Sequence, residues 1–133
     1  MKKIDHIGIA VKSIADAARI YSDGLGIPLT HTETVESQGV KVGFLPLGDS
    51  ELELLEPLNA QSTIAQFIEK RGEGIHHICI EVDDILATMA RLREQGVRLI
   101  NEECVQGAGG CLVAFVHPRS TNGVLIELSQ KPK

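Results

Sequence analysis

Residues 4–11 read IDHIGIAV and residues 75–82 read IHHICIEV, and the fold follows from this near-repetition. Ile4, His6, Ile7, Ile9 and Val11 recur as Ile75, His77, Ile78, Ile80 and Val82, at a constant offset of 71, since 77 − 6 and 82 − 11 agree. A fixed internal period signals a repeated structural unit. A helix start follows each copy: Ser13 caps the first, with Asp16 three residues on, and Asp83 or Asp84 caps the second. The helices are expected over about 13–23 and 84–95, ending at Gly24 or Gly26 and at Gly96, because glycine commonly follows a helix end. The copies also finish alike, with Leu52-Glu53-Leu54 matching Ile126-Glu127-Leu128 at an offset of 74 (127 − 53).

Alternating or β-branched runs predict further strands at about 29–36, 40–47, 50–56, 98–103, 111–117 and 124–129. Gly48-Asp49 and Thr121-Asn122-Gly123 read as turns. Residues 60–71 read as a linker helix capped by Ser62 or Thr63, with Ile64, Phe67 and Ile68 at helical spacing. The order βαβββ–helix–βαβββ gives an α+β fold of one domain over residues 1–133. Module one covers about 3–57, the linker helix about 60–72 and module two about 74–130.

Composition narrows the function. The 133 residues carry a formal charge of −5 and only 3% aromatics without Trp, which disfavours phosphate-backbone binding and base stacking. No run approaches a membrane span, and MKKIDHIGIAV lacks the uninterrupted apolar core and cleavage site of a signal peptide. Cys79, Cys104 and Cys111 form no CxxC pair and read as reduced thiols of a cytoplasmic protein. No cationic helix start adjoins them, which argues against a nucleophile.

Strand alternation sorts the polar residues. Ile7, Ile9 and Val11 form the face that the following helix covers, so His6 faces away from it; His77 opposes Ile78, Ile80 and Val82 in the same way. Glu53 opposes Leu52 and Leu54, and Glu127 opposes Ile126 and Leu128. A two-fold arrangement of modules brings His6, Glu53, His77 and Glu127 together on the inner side of a curved eight-stranded mixed sheet. Two imidazoles and two carboxylates in one pocket offset their desolvation by sharing protons or by binding a cation, and this thiolate-free set suits a divalent first-row ion. A lone strand histidine is usually structural and a lone strand glutamate solvated; paired recurrence at matched positions favours ligation. His76 and Glu51 compete by adjacency, and repeat register selects His77 and Glu53 over them. Glu56, Glu81, His31 and His117 read as structural or solvated. Gln106–Gly110 is glycine-rich but leads into a strand rather than a helix, so it reads as a flexible rim loop, not a phosphate loop.

These strands resemble the vicinal oxygen chelate superfamily of glyoxalase I, extradiol dioxygenases and methylmalonyl-CoA epimerases. The resemblance covers residues 3–130. It is most specific to the epimerase family at GDSELELLEPLNAQSTIAQFIEKRGEGIHHICIEVDDI (48–85), QGAGG (106–110) and HPRSTNGVLIEL (117–128). It implies that His6, His77 and Glu127 fall on metal-ligand positions, with Glu53 on a fourth that is Gln in some relatives. It also implies a cobalt-type divalent ion (nickel, manganese and zinc being alternatives), an acyl-CoA thioester substrate and a homodimer. The family's third-strand glutamate, proposed as one of two bases, aligns with Val42 here. Inversion of the α-carbon then assigns acid/base work to Glu127, with Glu53 or a water on the metal as its partner. Two alternatives stay open: a glyoxalase I-like lactoylglutathione lyase, which the same ligand order satisfies, and a non-catalytic binding protein of the bleomycin-resistance kind.

Overall fold

The computed structural model describes residues 2–132, which fall into two compact units. One comprises residues 6–76; the other comprises residues 77–132 together with residues 2–5. The chain elements in order are β1 (Lys3–Ala10), α1 (Ile14–Ala18), β2 (His31–Val35), β3 (Val40–Leu47), β4 (Ser50–Pro57), α2 (Thr63–Arg71), β5 (Gly74–Glu81), α3 (Ile85–Glu94), β6 (Val105–Gln106), β7 (Leu112–Val116) and β8 (Ile126–Gln130). Two βαβββ runs flank a helix, as the repeat requires.

In the first unit the strands lie in the order β2-β3-β4-β1, with β1 parallel to β4 and the other pairs antiparallel. Its core packs Val11, Ile14, Leu45 and Leu54 with Ile9, Ala17, Tyr21, Leu29 and Leu52, which is the helix-covered face that alternation predicts. In the second unit the order is β5-β8-β7-β6, with β5 parallel to β8. Val82, Ile85, Met89, Ala114, Val116 and Leu128 form its core. Both units are mixed sheets with one α-helix inserted after the first strand, the α+β class expected.

The repeat extends to the helix entries. Ser13 Oγ accepts from Asp16 N–H at 3.1 Å, and Asp84 Oδ1 accepts from Ala87 N–H at 3.1 Å. The part-buried N–H of Ile14 donates to Glu56 Oε1 and that of Ile85 to Gln130 Oε1, both at 2.8 Å. Each first helical turn is therefore satisfied twice, once locally and once from the last strand of its own module. Ser62 caps α2 by accepting from Ala65 N–H at 3.0 Å. Gly26 and Gly96 hold φ of 77° and 79°, the left-handed positions expected after the helices.

Two elements differ from expectation. The first helix is α-helical only to Ala18 and widens into a π-helical turn over Arg19–Gly24, with Leu25 N–H bonded to Ile20 C=O at 2.8 Å. The expected strand at 98–103 is not one: only a single bridge, Leu99 to Val116, forms there, and the ladder strand is the short β6. Asn101 explains the break, because its Oδ1 accepts the Phe115 N–H at 2.8 Å, a place where a backbone carbonyl would continue the ladder. The glycine run is the turn of the β6–β7 hairpin, held by Gly107 N–H to Cys111 C=O at 2.9 Å.

Candidate metal centre

Each unit builds one buried His–Glu pair. In the first, β1 and β4 run parallel with His6 in register with Glu51 and Gly8 with Glu53, so all four face the side opposite the helix-covered core. His6 Nδ1 lies 3.1 Å from Glu53 Oε2. In the second, β5 and β8 are parallel with Cys79 in register with Glu127, and His77 Nε2 lies 2.9 Å from Glu127 Oε1. The four residues are 6–7% exposed, which is rare for glutamates unless partnered. A carboxylate withdrawn from water to this degree needs a proton donor or a cation beside it.

The repeat also places an aromatic ring against each glutamate. Phe44 on β3 is directly opposite Glu53, and Phe115 on β7 is directly opposite Glu127. The two are 71 positions apart (115 − 44), the offset of the first strands, and that register was the signal by which sequence reasoning could have found them. Phe44 stacks on His31, centroids 4.3 Å apart and planes at 11°. Phe115 meets the His77 ring edge-on at 6.0 Å.

The competing residues have other work. His76 packs edge-on against Phe67 at 4.9 Å, in the first unit. Glu51 is half-buried, in register with His6 and Pro46. His117 Nδ1 accepts the Arg119 N–H at 3.1 Å, Glu81 pairs with Lys131 at 3.0 Å and Glu56 caps α1, so these side chains are structural. Val42 is buried between Glu33 and Leu55 on neighbouring strands. No disulfide forms among the described cysteines. Burial pushes the Cys111 thiol above its ordinary range; the Asp5 and Glu127 charges add to this, while a Ser129 hydrogen bond and the Lys131 charge oppose it. That is the reverse of an activated nucleophile.

A model of the glyoxalase/bleomycin resistance protein/dioxygenase superfamily matches residues 5–115. The chain belongs to that superfamily. The ethylmalonyl-CoA/methylmalonyl-CoA epimerase of Cereibacter sphaeroides is 43% identical over 130 residues, spanning 96% of this chain and 97% of that protein. The human mitochondrial methylmalonyl-CoA epimerase is 41% identical over 129 residues, spanning 96% of this chain and 73% of that protein. Among solved structures, a glutamate-to-glutamine variant of the Streptomyces coelicolor methylmalonyl-CoA epimerase, in complex with 2-nitronate-propionyl-CoA, has a TM-score of 0.92 at 36% identity and 98% coverage of both chains.

The donor chemistry of the superfamily member fits a divalent ion. Each pair presents an imidazole nitrogen and a carboxylate oxygen within hydrogen-bond distance of one another, two donors that a borderline first-row cation accepts together.

Proposed function

We propose that this chain is an epimerase that interconverts the stereoisomers of methylmalonyl-CoA, with His6, Glu53, His77 and Glu127 holding one divalent cation. The buried His–Glu pair that each unit builds at the same repeat position carries this reading. The epimerase names of relatives matching almost the whole chain supply the reaction class. When bound, the cation supplies positive charge that stabilises the enolate oxygen of a deprotonated malonyl thioester.

The protein's own residues do the rest. Each imidazole nitrogen lies 2.9–3.1 Å from the carboxylate oxygen of its own module, so each pair sets one nitrogen and one oxygen side by side to take the cation together. Burial excludes water, which strengthens every charge interaction around the reacting carbon. Inversion needs a proton acceptor on one side of the α-carbon and a donor on the other. Glu127 takes the first role, since a ligand carboxylate keeps one oxygen for the substrate; Glu53, its repeat equivalent, takes the second. Val42 is apolar and buried, so strand β3 contributes no acid there.

Cobalt is the proposed ion, with the cytoplasm as location, in keeping with three unbridged cysteines. A homodimer is proposed as well. The deciding experiment follows solvent-deuterium uptake at the α-carbon of methylmalonyl-CoA by NMR, with metal-reconstituted protein. Uptake with interconversion of the stereoisomers is expected. Lactoylglutathione formation from the hemithioacetal, without such uptake, would replace this reading by the lyase one.

A further inference from the structure

Each proposed catalytic glutamate has two lateral neighbours, and the first unit makes them very unequal. On one flank of Glu53 stands Gly8, which has no side chain; on the other stands Phe44. The face continues from Phe44 through Val42 and Leu55, 3% and 5% exposed, so the apolar ground beside Glu53 begins at the Phe44 ring. That ring is buried and has a stacking partner. His31, directly opposite Phe44 on β2, lies on it face to face at 4.3 Å, and Thr30 Oγ1 is 3.0 Å from His31 Nδ1. A ring held on one side by strand packing and on its face by a parallel imidazole loses the rotamer freedom with which a lone Phe accommodates a larger ligand.

Among the described residues of the second unit no ring stacks face to face on Phe115. Phe115 occupies the matching place beside Glu127, but its ring contact is edge-on, at 6.0 Å, with His77. The position 71 residues after His31 is Glu102, whose segment forms no ladder with β7. So the two flanking rings differ in their ring contacts although they descend from one repeat.

We infer that Phe44, braced by His31, is the wall against which the α-substituent of the malonyl thioester rests, and that it sets the size limit for that substituent. The inference rests on the epimerase reading above and adds the feature that selects among malonyl thioesters. One methylene more or less in an apolar pocket changes selectivity by roughly 10- to 200-fold. A rigid wall places the discrimination near the upper part of that range, and a yielding one near the lower.

The test compares methylmalonyl-CoA with ethylmalonyl-CoA in the metal-reconstituted holoprotein, reading α-carbon deuterium uptake as kcat/KM for each. Phe44→Leu is expected to raise the ethyl-to-methyl ratio about tenfold or more over the wild type. His31→Ala, which keeps the ring but removes its brace, is expected to move the ratio the same way by a few-fold. Phe115→Leu is expected to leave it within about twofold. Calorimetric binding of 2-nitronate thioesters carrying a methyl or an ethyl group gives the same comparison without turnover. An unchanged ratio in Phe44→Leu with the wild type active, or a shift in Phe115→Leu alone, overturns the wall assignment and leaves the epimerase reading standing. Absence of exchange from either thioester in the wild type overturns both.

Discussion

Replacing Glu127 by Gln keeps its shape and hydrogen-bonding reach and removes its capacity to take a proton. Deuterium uptake at the α-carbon is expected to fall about 100-fold or more, the usual worth of a placed acid/base group. Full-rate exchange in this variant would take Glu127 out of the chemistry. His77→Ala removes the imidazole 2.9 Å from the same carboxylate and leaves a buried glutamate with less compensation. Its expected signature is loss of bound metal in elemental analysis rather than a change in rate alone. Cys111 gives a pH test. Its thiol is raised by burial, so it stays protonated at pH 8 more than an ordinary cysteine does and is alkylated more slowly than glutathione; peptide mass spectrometry after iodoacetamide reads the difference. At this scale the two buried His–Glu pairs were legible because they occur twice in register. Glu56 was not, because a capping role depends on which N–H groups the fold leaves open, and the repeat supplies a Gln rather than a second Glu at 130.

At the scale of elements, the helix entries repeat in geometry though not in residue type, with Ser13 and Glu56 in one module and Asp84 and Gln130 in the other. Ser13→Ala should cost roughly 1 kcal/mol in urea or thermal unfolding, the ordinary worth of an N-cap. Glu56→Ala and Gln130→Ala should each cost on the order of 1–2 kcal/mol, since each strands a helical N–H under its own module. Equal losses would confirm equivalence of the two devices; a loss in only one would break it. Gly43 tests packing under α1. A Cβ built there would sit 3.0 Å from Ile14 Cγ2 and 3.1 Å from Leu29 Cδ1, so Gly43→Val should destabilise by about 1–3 kcal/mol. Strands β1, β3, β4, β5, β7 and β8 were readable from alternation, as was α3 from its caps. The stretch 98–103 was misread because its composition is that of a strand, while one side chain, Asn101, takes over a ladder bond. The π-helical turn escaped for a related reason: Arg19–Gly24 holds nothing in its spacing that distinguishes a wide turn from an α-helical one.

For the whole molecule, metal and fold should be coupled. A cation that binds only the native state at 100 times its Kd adds about 2.7 kcal/mol, which for a chain of this size raises Tm by on the order of 10 °C. Chelator treatment should lower Tm by that amount and cobalt should restore it. Superimposable melting curves, together with no stoichiometric ion, would favour a metal-free binding protein on the same scaffold. The whole-chain architecture was legible from one period of 71 residues, yet repetition identifies which groups are shared and says nothing of where the copies part company. Those departures, Gly8 against Cys79 and His31 against Glu102, only acquire meaning once strand partners are known.

Each His–Glu contact is closed inside a single module, so each module presents one imidazole nitrogen and one carboxylate oxygen of its own. Joining two such copies in one chain freed them from identity. One copy can then stack its aromatic flank face to face while the other meets its neighbour edge-on. Asymmetry of that kind is unavailable to an assembly of identical halves, and it gives duplication within one gene a chemical reason to persist.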